Sequence, residues 1–195
     1  MINSDHISLD KSKHMHAVAQ LMFNHYDLFG KPTLTRDEIY LLGYCHDIGC
    51  MLPGGHDGHE LGAQKLFEDL FFKEILIFNG NVYTAVPPEG PEPGVVVEKE
   101  GNCSSHIFTH CIRWHGTTPK EYMSYFGIPD SQIIPELKLL WWADMQVDAH
   151  GNLVSFDERL ADILGRYGAE STEYNISKDI VAWLTECDNN KKEEN

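Results

Sequence analysis

His46 and Asp47 stand side by side at the polar end of an apolar run, Leu41-Leu42-Gly43-Tyr44-Cys45-His46-Asp47-Ile48-Gly49. A neutral imidazole and a carboxylate together suit a divalent transition metal. Adjacent side chains on a continuous helix diverge. Both can turn toward one cation only where the helix unwinds, and Gly49 is placed to unwind it. Two further positions complete a donor set: His14, ahead of Val18-Ala19 on an N-terminal helix, and Asp144, at the end of Leu139-Leu140-Trp141-Trp142-Ala143-Asp144. A carboxylate in so apolar a stretch is costly unless it is paired or bound to metal. Three helices would then present two imidazoles and two carboxylates to one bundle core, where metal sites are commonly built. Each residue alone has a bland alternative, an interhelical hydrogen bonder for His14 and a helix-end or salt-bridging group for Asp144, and short motifs are individually unspecific.

The elements that must position these groups are helical. Leu9 to Phe29 places Val18, Leu21, Met22, His25 and Phe29 on one face at three-to-four spacing, with Gly30 and Pro32 ending the helix. Thr35 with Glu38 is a capping box that opens a helix running to His46. Residues from His59 to about Lys73 predict a third helix after the loop Met51-Leu52-Pro53-Gly54-Gly55. The pattern then changes. Ile75 to Val86 is β-branched and aromatic around the tight-turn dipeptide Asn79-Gly80, and a proline-rich run follows it. Residues 75–102 therefore predict a small β-hairpin insertion in a helical protein. Helical signals resume from Ser104 to His115, at Pro119, and along the apolar stretch from Asp130 to Val147. A second capping box, Ser155 with Glu158, opens Phe156 to Tyr167, and Gly168 stops it. Ser177 to Cys187 predicts a last helix, with a frayed charged tail at 188–195. The expectation is one all-α domain over 1–195.

Bulk properties narrow the function. The 195 residues, 42% hydrophobic, are enough for one well-buried core. A formal net charge of -15 argues against nucleic acid or an anionic membrane as partner. It leaves room for a small anionic substrate, because a metal inverts the local field. Five cysteines without a CxxC spacing read as reduced thiols, hence a cytoplasmic protein rather than a disulfide framework. No secretory signal and no run long enough to span a bilayer is evident.

The order of these motifs resembles the HD-domain superfamily of metal-dependent phosphohydrolases. His14-Met15-His16-Ala17-Val18-Ala19 is similar to the family's first element, Cys45-His46-Asp47-Ile48-Gly49 to its His-Asp element, and Trp142-Ala143-Asp144-Met145 to its distal Asp. His59-Glu60-Leu61-Gly62-Ala63 resembles the His-x-x-Gly-Ala segment, and Ile112-Arg113-Trp114-His115 the later helix that ends on a His. Val154 to Leu160 with Arg166-Tyr167-Gly168 is similar to the C-terminal segment of small bacterial members. The likeness covers roughly residues 10 to 168 without the β insertion. Cys50 departs from the family's usual Lys or Tyr. His16, His56, His106 and His110 are competing donors; the family spacing favours His14 over His16, and Gly62-Ala63 favours His59 over His56.

The resemblance implies an HD-domain helical bundle and a metal site of His14, His46, Asp47 and Asp144, with His59 and His115 completing a second ion's site or facing substrate. Mixed nitrogen and oxygen donors suit one or two ions of Fe, Mn, Co, Ni or Zn. The implied reaction is hydrolysis of a phosphoester or phosphoanhydride by metal-activated water, with Asp47, His59 and His115 as catalytic groups and a small phosphorylated substrate, of nucleotide type. Arg113, Lys120, Arg159 and Arg166 are candidates to meet phosphate, although surface cations are the commoner role for such residues. The rival readings are a di-iron HD-fold oxygenase using the same six ligands and a non-catalytic HD-fold binding module. The acidic surface and the apolar helix bearing Trp141 and Trp142 can also support a homodimer.

Overall fold

The computed structural model describes residues 9–51, 62–66, 76–78, 81–83 and 103–193. These are mostly helical. In chain order the helices are α1 (Leu9–Asn24), α2 (Arg36–Cys45), α3 (Cys103–Trp114), α4 (Pro119–Phe126), α5 (Pro135–Asp144), α6 (Phe156–Tyr167) and α7 (Thr172–Glu193). One-turn 3-10 segments lie at Ile48–Met51 and Asp130–Gln132, and residues 62–66 form a short helical stretch. No helix among the described residues is long and apolar enough to cross a membrane.

The helix starts follow local chemistry. Thr35 accepts from Glu38 N at 3.3 Å while the Glu38 carboxylate accepts from Thr35 N at 2.7 Å, a reciprocal cap that satisfies two otherwise orphaned donors of α2. Ser155 and Glu158 cap α6 in the same way. Thr118 and Glu121 do so for α4, where Pro119 adds a φ already suited to the first turn. Proline also sets the start of α5: Pro135 has no N–H to donate within a helix, so the apolar stretch from Asp130 divides into a 3-10 turn and a helix that begins at Pro135.

α5 is the central element. Leu137, Leu139, Leu140, Trp141 and Ala143 are all buried, so it is apolar on nearly every side. α1 packs on α2 and α5, α2 on α3, α3 on α5, and α7 on α4, α5 and α6. One apolar cluster runs from Val18 through Leu42, Ile112 and Leu140 to Leu184. The α1–α2 crossing is close because residue 43 is glycine. A Cβ there would stand 2.7 Å from Ala19 Cα and 2.8 Å from Met22 Sδ. Glu136, itself buried, accepts from Thr33 N and Leu34 N, and Tyr26 donates to Leu34 O, so the α1–α2 connection is pinned to α5.

Several predicted boundaries move. α1 ends at Asn24 rather than Phe29, and 25–29 form a turn that leaves His25 exposed while Tyr26 and Phe29 pack against the core. The last helix starts at Thr172 rather than Ser177 and continues to Glu193, through most of the tail expected to fray. Leu76–Phe78 and Asn81–Tyr83 pair antiparallel with Ile77 opposite Val82. Residues 79–80, which carry the expected turn, lie outside the described residues, as does most of 75–102 and of the predicted helix from His59 to Lys73.

Candidate metal centre

Three helix ends and one helix face converge on a small buried volume. His14 sits on the inward face of α1 beside Met15 and Val18. His46 is the first residue after α2 and keeps helical dihedrals, with Asp47 next in the turn before Ile48–Met51. Asp144 is the last residue of α5, and His115 directly follows α3. The helix therefore ends at Cys45, ahead of the pair, rather than unwinding at Gly49, which lies within the 3-10 turn Ile48–Met51.

All three imidazoles are held by Nδ1. His14 Nδ1 is 2.9 Å from Asp148 O, His46 Nδ1 2.7 Å from Gly43 O, and His115 Nδ1 2.7 Å from Ile112 O. A carbonyl oxygen only accepts, so each Nδ1 must carry the proton. Each Nε2 then faces the carboxylates. His46 Nε2 is 3.4 Å from Asp47 Oδ2 and 4.0 Å from Asp144 Oδ1. His14 Nε2 is 3.1 Å from Asp144 Oδ1 and 3.9 Å from Asp47 Oδ2. On the other side, His115 Nε2 lies 3.5 Å from Asp47 Oδ1. His14, His46 and Asp47 offer ligand atoms all within 4.8 Å of one another, a group that could hold a metal ion.

His46 tests whether a cation fits. Its residue is 0% exposed and its Nε2 has no hydrogen-bond partner. As a lone pair aimed at two carboxylates it is repelled. As a second N–H it is a buried donor without an aligned acceptor, which costs about 1–3 kcal/mol or more with charge. A cation between nitrogen and oxygens gives the lone pair a partner, and takes the place of the second proton. Backbone carbonyls on the far nitrogens are also what orients imidazole ligands in metal sites.

The carboxylates are kept ionised. Burial opposes the charge on Asp47, but with the imidazoles doubly protonated His46, Lys11 and a hydrogen bond from His115 overcome it and hold the carboxyl well below the usual range. For Asp144 the opposing burial is outweighed by a hydrogen bond from His14 and by the Arg159 guanidinium, again lowering the pKa. Lys11, one turn ahead of His14, ion-pairs with Asp47 Oδ2. Arg159 spans Asp144 Oδ1 at 3.3 Å and Asp162 Oδ2 at 3.2 Å. At 7% exposure Arg159 is no surface cation; its Nε, also buried, has no hydrogen-bond partner.

The remaining sequence candidates separate. His16 is exposed and bonds Tyr40 Oη at 2.8 Å, away from the cluster. His110 bonds Tyr122 Oη at 2.6 Å among aromatic rings, where burial lowers its pKa to about 4. Arg113 stacks over Trp114 and Arg166 over Tyr167. His59 and His56 lie outside the described residues. Lys11 and the loop after α5 went unrecognised in sequence, and Arg159, expected as a candidate to meet phosphate, instead clamps Asp144. That loop closes through a Val147–Leu153 bridge, and Asp148 caps it by accepting from His150 N, Asn152 N and Asn152 Nδ2. Asp-Ala-His-Gly-Asn is a recognisable turn signal, but its contact with His14 is made by a main-chain oxygen that no residue type announces. Comparisons with protein-family models, with curated proteins and with solved structures found no match for this chain.

Proposed function

We propose that this chain is a metal-dependent phosphohydrolase of the HD type, cleaving a phosphoester or phosphoanhydride of a small phosphorylated substrate, a nucleotide being the leading class. The observation that carries the reading is His46 Nε2, buried without a hydrogen-bond partner and facing Asp47 and Asp144 beside His14. His14, His46, Asp47 and Asp144 would hold the ion. A divalent ion in this setting lowers the pKa of water and offsets charge on phosphate oxygens. The protein's part is positional. Asp148 O and Gly43 O fix the two imidazoles, and Arg159 fixes Asp144. His115 meets the other oxygen of Asp47, so it is placed to ligate a second ion bridged by Asp47 or to hold a proton next to substrate. His59 joins it on the strength of the sequence resemblance alone. Metal analysis of the purified protein combined with a phosphate-release screen over a nucleotide panel tests the reading. Bound transition metal with phosphate release from a nucleotide supports it. Iron with oxygen-dependent turnover and no phosphate release would replace it with the oxygenase reading.

A further inference from the structure

Among the described residues, two cations pair with the two carboxylates of the cluster, and they are unlike. Arg159 is wedged between Asp144 and Asp162, with its side chain 8% exposed. Lys11 holds Asp47 Oδ2 from the rim, with its side chain 33% exposed. Oδ2 is also the oxygen that the Nε2 atoms of His14 and His46 approach. A divalent ion taken up between those nitrogens and Oδ2 therefore meets an ammonium already using the same oxygen. The two cannot share it without strong like-charge repulsion. Of the two resident cations Lys11 is the one able to leave, because its flexible stem starts near the first turn of α1 and its side chain is far more exposed than that of Arg159.

We propose that Lys11 is an exchangeable cation with two stations. Without metal it is the counter-ion of Asp47. When a divalent ion takes Oδ2, the Lys11 ammonium swings to the rim and becomes the group that binds the anionic substrate. The second station rests on the phosphohydrolase reading, whereas the first needs only the metal. The exchange also explains how an oxygen already paired with a cation admits a dication: one positive charge leaves the oxygen as the ion arrives. Arg159 stays behind to hold Asp144.

The test compares wild type with Lys11→Met, which keeps the stem and removes the charge, and with Lys11→Gln as a second variant. Titration calorimetry with Mn2+ alone reads the first station. Both variants should bind Mn2+ more tightly, by roughly two- to fivefold, the scale of a partly exposed ion pair. Titration of the Mn2+-loaded proteins with inorganic phosphate reads the second station, and both variants should bind phosphate several-fold more weakly. Circular dichroism establishes that the helices are intact. Equal Mn2+ affinity in wild type and variants, or weaker affinity in the variants, overturns the exchange. Tighter Mn2+ with unchanged phosphate binding overturns the substrate station. No Mn2+ binding by any of the three proteins overturns the metal reading, and the inference with it.

Discussion

Asp47 is the residue on which the cluster turns, because its two oxygens face different groups: Oδ2 faces His14, His46 and Lys11, and Oδ1 faces His115. Asp47→Asn preserves shape and removes the charge. It should lower Mn2+ affinity by at least about 100-fold while leaving the helical circular-dichroism signal in place, since a ligand and not a core side chain is lost. Undiminished Mn2+ binding in this variant would remove Asp47 from the ligand set. A second residue-scale expectation concerns His110, away from the cluster. Its folded pKa near 4 lies below the ordinary value of 6.5 because burial disfavours the imidazolium. The unfolded chain therefore binds the extra proton first, and the stability from neutral His110 is full above 6.5 and lost as pH falls toward 4. Between pH 7 and pH 5 the loss is about 2 kcal/mol. Urea unfolding should show a drop larger by that amount in wild type than in His110→Gln. At this scale the side chains that meet in the cluster were legible from type and order, because a buried carboxylate in Leu-Trp-Trp-Ala-Asp and a His-Asp pair at a helix end are locally odd. The partners that orient them were not. Lys11 pairs with a residue 36 positions away and Asp148 O with one 134 positions away, and only the tertiary fold brings these together.

Elements act here by delivering helix ends to one place, and two glycines decide how closely they can approach. Gly43 lets α2 lie against Ala19 and Met22 of α1, and its carbonyl holds His46. Gly151 has a φ of +85°, and a Cβ there would stand 2.8 Å from Lys13 O, next to His14. The two substitutions to alanine should fail differently. Gly43→Ala forces a backbone clash inside the core and should cost about 1–3 kcal/mol or more in chemical unfolding. Gly151→Ala is strained in a surface loop, at about 1–3 kcal/mol. It should also push Asp148 O away from His14 Nδ1 and weaken Mn2+ binding by about 10-fold or more, as loss of an outer-shell partner does. Intact Mn2+ affinity in Gly151→Ala would show that the loop does not orient His14. The helices themselves were largely readable, since the capping boxes at Thr35 and Ser155 fix their starts by hydrogen bonds between residues three apart. Ends were less so. α1 stops at Asn24 although the apolar spacing continues to Phe29, because Tyr26 is drawn to Leu34 O and the connection closes on Glu136 of α5. That competition is between elements, and periodicity within one element does not contain it.

At the scale of the whole molecule, the proposed ion joins α1, the end of α2 and the end of α5, segments spread from residue 14 to residue 144. A ligand that binds only the folded chain stabilises it by mass action, about 2.7 kcal/mol at one hundred times Kd. For a chain of this size that corresponds to a rise in melting temperature of about 5–10 °C. A net charge of -15 complicates the measurement, because any dication gathers near such a surface and relieves its self-repulsion. The two effects separate by ligand chemistry. Screening depends on charge alone and should be the same for Ca2+ and Mn2+ at equal ionic strength. Two imidazole nitrogens favour Mn2+, Co2+, Ni2+ or Zn2+ over Ca2+, which prefers six to eight oxygens. Melting of chelator-treated protein should therefore rise strongly with Mn2+ and only slightly with Ca2+. In Asp47→Asn both ions should give the same small rise, leaving only the screening. A wild-type protein that responds equally to Ca2+ and Mn2+ would mean that its histidines and carboxylates are an ion-paired core feature, with His46 Nε2 left as an uncompensated buried nitrogen.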